Sequence, residues 1–502
     1  MVIFGATGDL TQRKLIPALF HLFQKKILPP HFYIVGFSRR PYTNEDFKEF
    51  LEQAINKYHQ HKFSDSQWQE FIGKCYYQQG NFGEKQGYID MIDKLKEFDE
   101  LLSSCVPRFF YLATPPDNYP EILKYLHSTK LSEGCGPYFA PHGGATKGKQ
   151  GSGKWTKIMI EKPFGKSLDD ALKLDRKLAQ FFNEEQIYRI DHYLGKEAVQ
   201  NILAFRFGNT IFDPVWNNKY IDHVQVTIAE TLGVETRGNF FEGIGTLRDM
   251  AQSHLLELMT AITMSEPRTL DATGIRNART ESIKEIICIE PNQVARRAIR
   301  GQYGQGSVNG KPVARYRVEP KVAPDSNTET FAALKLFVDS PRWQDVPFYL
   351  RTGKRLTEKA TQISVVFKEP KLKMLGRGER EIVANTLTFC IEPNEKIELS
   401  LNAKRVGFER IFNQIPLSFN YDKTDGVLPE SYEKLLVDVM RGDQTLFTRT
   451  DEVQASWKLI ARIGERWQES KDPGFPNYAA GSWGPKAAEE LITKDGREWL
   501  VK

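Results

Sequence analysis

The chain has 502 residues, well beyond the ~250 to 300 at which a single hydrophobic core stops growing, so at least two domains are expected. Hydrophobic residues make up 40% and charged residues 26%, which excludes disordered and fibrous classes; no apolar run approaches the ~18 residues of a membrane span and no signal segment leads the chain, so a cytoplasmic protein is expected. The net charge is only +5, with Lys and Arg mixed among Asp and Glu, so neither nucleic acid nor a membrane is indicated as a partner, while a local cationic pocket for a small anion is compatible with it.

In chain order, Met1-Val2-Ile3-Phe4 is a short apolar run that stops at Gly5, and Thr11 to Lys26 carries Leu15, Ala18, Leu19 and Leu22 at helical spacing. That reads as strand, glycine turn, helix. A second strand follows at Phe32-Tyr33-Ile34-Val35, then a helix capped at Thr43 with Glu45 and Asp46 in its first turn, then strands at 108–112 and 157–160 with a helix after Pro115-Pro116-Asp117 between them. Such alternation predicts an α/β, Rossmann-type doubly wound domain over residues 1–190. Residues 134–154 hold seven glycines, two prolines and no acidic residue; no strand and helix flank them at phosphate-binding spacing, so a mobile surface loop without a site is expected.

After Glu197 the pattern changes. Alternating runs at 224–228, 363–367 and 397–401 mix with helical stretches around 243–263, 429–441 and 451–467, which predicts a larger α+β domain over 191–502 with a mostly antiparallel sheet and helices on one face. Five cysteines (Cys75, Cys105, Cys135, Cys288, Cys390) are odd in number and far apart, with no C-x-x-C pair, so they are expected to be reduced and to hold no metal.

Chemistry concentrates at a few points. Gly5-Ala6-Thr7-Gly8-Asp9-Leu10 closes the first strand and opens the first helix, where N–H groups favour a pyrophosphate. The second strand ends in Gly36-Phe37-Ser38-Arg39-Arg40, without the carboxylate that binds an unphosphorylated ribose; Arg suits a 2′-phosphate, which favours NADP over NAD. Glu161-Lys162-Pro163-Phe164-Gly165 follows the last strand of the first domain, and Pro163 is a candidate for a cis bond. Arg189-Ile190-Asp191-His192-Tyr193-Leu194-Gly195-Lys196-Glu197 crowds a guanidinium, a carboxylate, an imidazole, a phenol and an ammonium beside one glycine. His192, Tyr193 and Lys196 supply donors to a phosphate dianion, whereas Asp191 has the opposite sign and needs another partner. His254 lies in an apolar helix, about 140° from Asp249 at 3.6 residues per turn, so periodicity does not pair those two.

These motifs resemble those of the glucose-6-phosphate dehydrogenase family across essentially the whole chain: G-A-T-G-D-L, E-K-P-F-G, R-I-D-H-Y-L-G-K-E, G-I-G-T-L-R-D-M-A-Q-S-H-L-L and V-P-F-Y-L-R-T-G-K, in order. The resemblance implies oxidation of glucose 6-phosphate at C1, with His254 as general base and Asp191 as the carboxylate that orients it. It implies substrate phosphate at His192, Tyr193 and Lys196, and the sugar at Lys162, Glu230, Asp249, Lys354 and Lys359. Coenzyme would lie at Gly5, Thr7, Gly8, Asp9, Leu10, Lys14, Arg39, Tyr119 and Lys162, and the assembly would be a homodimer or homotetramer built through the large sheet. Two departures stand out. Cys390, Ser418 and Trp483 replace the residues with which some members hold a second, structural NADP, so none is expected here, and Glu392 stands where the family has a glutamine near the sugar. The competing readings are an oxidoreductase of unphosphorylated sugars with the same coenzyme fold, and a catalytically inactive nucleotide-binding protein.

Overall fold

The computed structural model describes residues 1–133, 156–370, 382–408, 412–421, 428–469 and 473–501; the glycine-rich stretch 134–154 lies outside them. The alternating pattern of the first part becomes six parallel strands, β1 (Val2–Phe4), β2 (Ile34–Ser38), β3 (Cys75–Gln79), β4 (Arg108–Leu112), β5 (Thr156–Glu161) and β6 (Ile187–Ile190), in the order β6-β5-β4-β1-β2-β3. Side chains alternate across a strand, and the cores follow suit: Ile3 and Met159 pack into one, Val2, Phe4, Ile158 and Ile160 into the other. Helices cover both faces, as a parallel sheet requires. The strand order reverses between β1 and β4, and in open α/β sheets ligands bind in a crevice at the carboxyl ends of the strands at such a point.

The helix over Asn44–Tyr58 shows the local logic: Thr43 accepts from the Asp46 N–H and Asp46 accepts from that of Thr43, a reciprocal cap the sequence predicts. Two helices depart from the ordinary repeat. Thr11–Leu15, leading into Ile16–Gln24, and Leu247–Leu255, leading into Leu256–Thr263, are wound as wider i→i+5 turns, a geometry that recurs at functional sites.

The second part forms an eight-stranded sheet. From one edge its strands are Phe412–Asn420, Lys396–Lys404, Thr386–Glu392, Ala360–Phe367, Ile221–Ala229, Phe348–Gly353, Phe331–Leu336 and Ala298–Gly301. Only the pair Ile221–Ala229 with Phe348–Gly353 is parallel. Val224, Val226 and Ile228 share a core with Leu255, Leu258 and Ile262 of the helix beneath them.

The chain does not divide as cleanly as its pattern. Phe447–Thr448 pairs antiparallel with β6 and adds a seventh strand to the first sheet, and the following helix, Thr450–Glu469, sends Val453 and Trp457 into the core of the first part. Arg189, 1% exposed, is held by Asp175 and Glu184 at 2.9 Å and donates to Thr450 Oγ1 at 2.6 Å. It is a joint between the two parts and not a ligand. The expectation of five reduced cysteines is overturned at Cys105, which is disulfide-bonded, while Cys75, Cys288 and Cys390 are free; pairing depends on proximity in space, which separation along the chain does not encode.

Helix Ser431–Arg441 presses its first turn onto the Arg189–Glu197 run. A side chain at Gly195 would put its Cβ 2.8 Å from the Ser431 carbonyl oxygen and 3.1 Å from Leu435. The missing side chain thus makes room for a helix. Gly195→Ala is expected to lose about 1–3 kcal/mol of stability, read as a lower urea midpoint; an unchanged midpoint would show that the helix yields.

Candidate active site

The carboxyl ends of β1, β2, β4 and β5 form one rim. On it, Gly5 has φ +85°, and a Cβ there would lie 2.3 Å from the Ala113 carbonyl oxygen after β4, so only glycine fits this turn. Its N–H donates to Phe37 O and Gly8 N–H donates to Gly5 O, both at 2.9 Å. Thr7 is tied to Ser38 at the end of β2, Oγ to Oγ 2.9 Å, which brings the turn next to the exposed Arg39. From Leu10 onward the helix presents first-turn N–H groups to the crevice. Asp9 pairs with Arg13 at 3.4 Å, and Lys14 with Glu430 at 3.1 Å. Tyr119 is fully buried, and its hydroxyl exchanges hydrogen bonds with the backbone of Glu161 at 3.2 Å, so it braces the end of β5.

The wide turn at 247–255 settles the question that a 3.6 repeat leaves unresolved. In an i→i+5 repeat, residues five apart fall one turn on, which brings Asp249 and His254 to one side of the helix. Lys162, at the end of β5 and followed by a cis peptide to Pro163, reaches that side: its ammonium donates to Asp249 O at 2.7 Å, Ser253 Oγ at 2.9 Å and His254 Nε2 at 2.8 Å, and lies 3.9 Å from Asp249 Oδ1. On the other ring nitrogen, His254 Nδ1 donates to Asp191 Oδ1 and Oδ2 at 2.7 and 2.8 Å. Asp191 is 0% and His254 2% exposed. The Tyr193 N–H also donates to Asp191, at 2.9 Å.

These contacts set the protonation states. Burial would raise Asp191, but His254 and Lys162 beside it hold the carboxyl far below the usual carboxylate range. For His254, burial and the Lys162 charge outweigh the pull of Asp191, so the imidazole is kept neutral below its ordinary pKa. His192 is pushed down further still by burial and by His254 next to it, ring to ring 4.8 Å. Asp191, His192 and His254 lie close enough to share a metal ion, yet the ammonium on Nε2 sets a positive charge against any cation there.

The sequence misses one member of this site. Glu161, the neighbour of Lys162, accepts from Tyr111 at 2.5 Å and from Tyr432 at 3.1 Å, and burial pushes its carboxyl up to about 7 despite those donors. Its motif was visible, but its partners lie 50 and 271 positions away.

Around the pair stand the remaining predicted residues. The Tyr193 ring packs 4.1 Å from that of His254, and the Lys196 ammonium lies 4.7 Å over Tyr193. Lys354 pairs with Glu230 at 2.5 Å and helps Lys162 lower Asp249 against the effect of burial. Lys359, largely exposed, pairs with Glu392 at 3.1 Å, and Glu392 also pairs with Lys196. The site therefore offers an imidazole fixed by a buried carboxylate, surrounded by lysines paired with further carboxylates.

Titration of the His254 ring followed by NMR should give a midpoint below the ~6.5 of a free imidazole. Lys162→Met, which removes a neighbouring cation, should move it up, and Asp191→Asn, which removes the carboxylate that favours imidazolium, should move it down. The opposite order would contradict the electrostatics described.

Comparisons with known proteins point one way. The family description "Glucose-6-phosphate dehydrogenase, NAD binding domain" matches residues 2–201, and "Glucose-6-phosphate dehydrogenase, C-terminal domain" matches residues 203–500. The chain is 43% identical to a glucose-6-phosphate 1-dehydrogenase of Chlamydia pneumoniae, over 99% of this chain and 95% of that one, and 39% identical to one of Bacillus subtilis, over 99% and 97%. Among solved structures, a glucose-6-phosphate dehydrogenase in complex with its substrate glucose-6-phosphate superposes with TM-score 0.86 at 32% identity, covering 99% of this chain and 97% of that one. With the whole length matched and both parts recognised, the chain belongs to the glucose-6-phosphate dehydrogenase family.

Proposed function

We propose that the chain oxidises D-glucose 6-phosphate at C1 to 6-phospho-D-glucono-1,5-lactone with NADP+ as hydride acceptor. The observation that carries this reading is His254, whose Nδ1 is fixed by Asp191 at 2.7 Å and whose Nε2 stands 2.8 Å from Lys162 at the end of β5. Oxidation of the C1 carbinol releases a proton and a hydride, and the coenzyme supplies the acceptor for the hydride. His254 Nε2 takes the hydroxyl proton. Asp191 keeps the proton of the ring on Nδ1, so the free lone pair faces the substrate, and it stabilises the imidazolium once formed. One lone pair cannot serve both Lys162 and a substrate hydroxyl, so Lys162 passes from Nε2 to the substrate oxygen as the sugar enters. His192, Tyr193 and Lys196 hold the phosphate, while Lys354, Glu230 and Asp249 give the sugar hydroxyls both donors and acceptors.

The turn fits a dinucleotide: its glycine conformation and first-turn N–H groups suit a pyrophosphate. NADP is favoured over NAD because Arg39 is exposed at the end of β2, pairs with no carboxylate among the described residues and is followed by a second arginine. One coenzyme per chain is proposed, since Cys390, Ser418 and Trp483 stand where some family members have the residues that hold a second, structural NADP. A homo-oligomer is proposed through the large sheet, whose outer strands expose Leu401, Ile415, Leu417 and Phe419 on one face.

Following NADPH absorbance with glucose 6-phosphate, glucose and 6-phosphogluconate in parallel, only the first should support rapid turnover; equal rates with glucose would sink the reading. His254→Asn should cut kcat by on the order of 10² or more with KM little changed, and near-normal kcat would remove it from the role of base. Arg39→Ala should raise KM for NADP and leave that for NAD nearly alone; equal losses would exclude the 2′-phosphate contact.

A further inference from the structure

Two lysines on the phosphate side of the cleft converge on one carboxylate. Glu392 ends the strand Thr386–Glu392 and sends one oxygen to Lys196, which is 9% exposed, and the other to Lys359 Nζ at 3.1 Å. Burial would raise this carboxyl, and the two ammonium groups more than reverse the effect, so Glu392 is ionised in its place. The two ammonium groups and the one carboxylate they share leave a single net positive charge in this cluster. Glu392 takes one of the three Lys196 N–H donors, and a phosphate dianion on the other two meets its carboxylate on the same ammonium, where the two anions repel. A phosphate held there therefore drives the Lys196–Glu392 pair open. An uncharged hexose brings nothing to exchange for it.

We propose that Glu392 is a built-in competitor for the phosphate seat, a specificity-determining side chain that only an anion displaces from Lys196. The identity of the sugar rests on the function proposed above, but the seat itself is open to test with inorganic phosphate alone. Glu392→Gln keeps the volume and removes the charge. Its KM for glucose 6-phosphate and the inhibition constant of inorganic phosphate should both fall on the order of tenfold, with kcat within about twofold, and KM for glucose should not move, as a general loosening would make it do. Because burial already lowers Lys196 and the variant leaves it without its carboxylate, Tm should drop without ligand and rise more steeply with inorganic phosphate than in the unaltered protein. Glu392→Asp, with the charge kept and the reach to Lys196 shortened, should fall between the two and serves if the glutamine variant does not fold. A KM and inhibition constant that rise would overturn the proposal in favour of a carboxylate that accepts from the sugar, and unchanged values would overturn it in favour of a bystander. The phosphate-dependent Tm needs no turnover, so it decides about Glu392 even if the chain fails to oxidise glucose 6-phosphate.

Discussion

The line Asp191, His254, Lys162 is the constraint around which the rest is arranged. Its members come from the segment after β6, from the wide-turned helix in the second part and from the end of β5. Each is charged or chargeable and removed from water, and an isolated buried charge is costly enough to shift the pKa or the fold. Their mutual contacts relieve that cost only if sheet rim and helix meet within hydrogen-bond distance. Burial and the Lys162 charge hold the imidazole below its ordinary pKa while Asp191 orients it, so the requirement of folding and that of the proposed proton transfer coincide.

Helix Ser431–Arg441 transmits this arrangement to both ligand regions. Its first turn places Tyr432 on Glu161 and Glu433 on the buried His21 at 2.6 Å, and closes on Gly195, while Glu430 just before it pairs with Lys14. The helix after the Gly5 turn, the Glu161-Lys162 motif and the Arg189–Glu197 run thus share one support from the far end of the chain. Phe447–Thr448 and Thr450–Glu469 continue the same interlocking, and Arg189 fastens it. A shift of either part relative to the other would disturb base, coenzyme rim and phosphate seat together.

Charge in the cleft is held in pairs. Lys354 lies on Glu230, Lys196 and Lys359 on Glu392, and Lys162 near Asp249. Such pairing keeps several cations fixed and desolvated before a substrate arrives, and ligand binding becomes an exchange of partners instead of a capture by free charge.

Much was legible in the sequence. Strand, turn and helix from Met1 onward, the cap at Thr43, the strand at 108–112 and the antiparallel runs of the second part are local patterns, and burial of alternate or periodic apolar residues fixes them wherever they lie. The residues proposed to hold ligands stand in motifs, because glycine at a positive φ and clustered charge leave marks in composition. The wide turn that carries His254 was not: a 3.6 repeat is assumed in reading any helix, and only packing against β5 and the sheet shows the i→i+5 winding. Nor could spacing reveal Glu161 with Tyr432, Gly195 against Ser431, Tyr119 turned inward, the disulfide at Cys105 or the two lysines on Glu392. The sequence by itself determined which elements form and which chemical groups the site contains; the tertiary structure decided which of those groups face each other, because burial and charge act through distance in space, and separations of 63 to 271 residues are crossed only when the chain is folded.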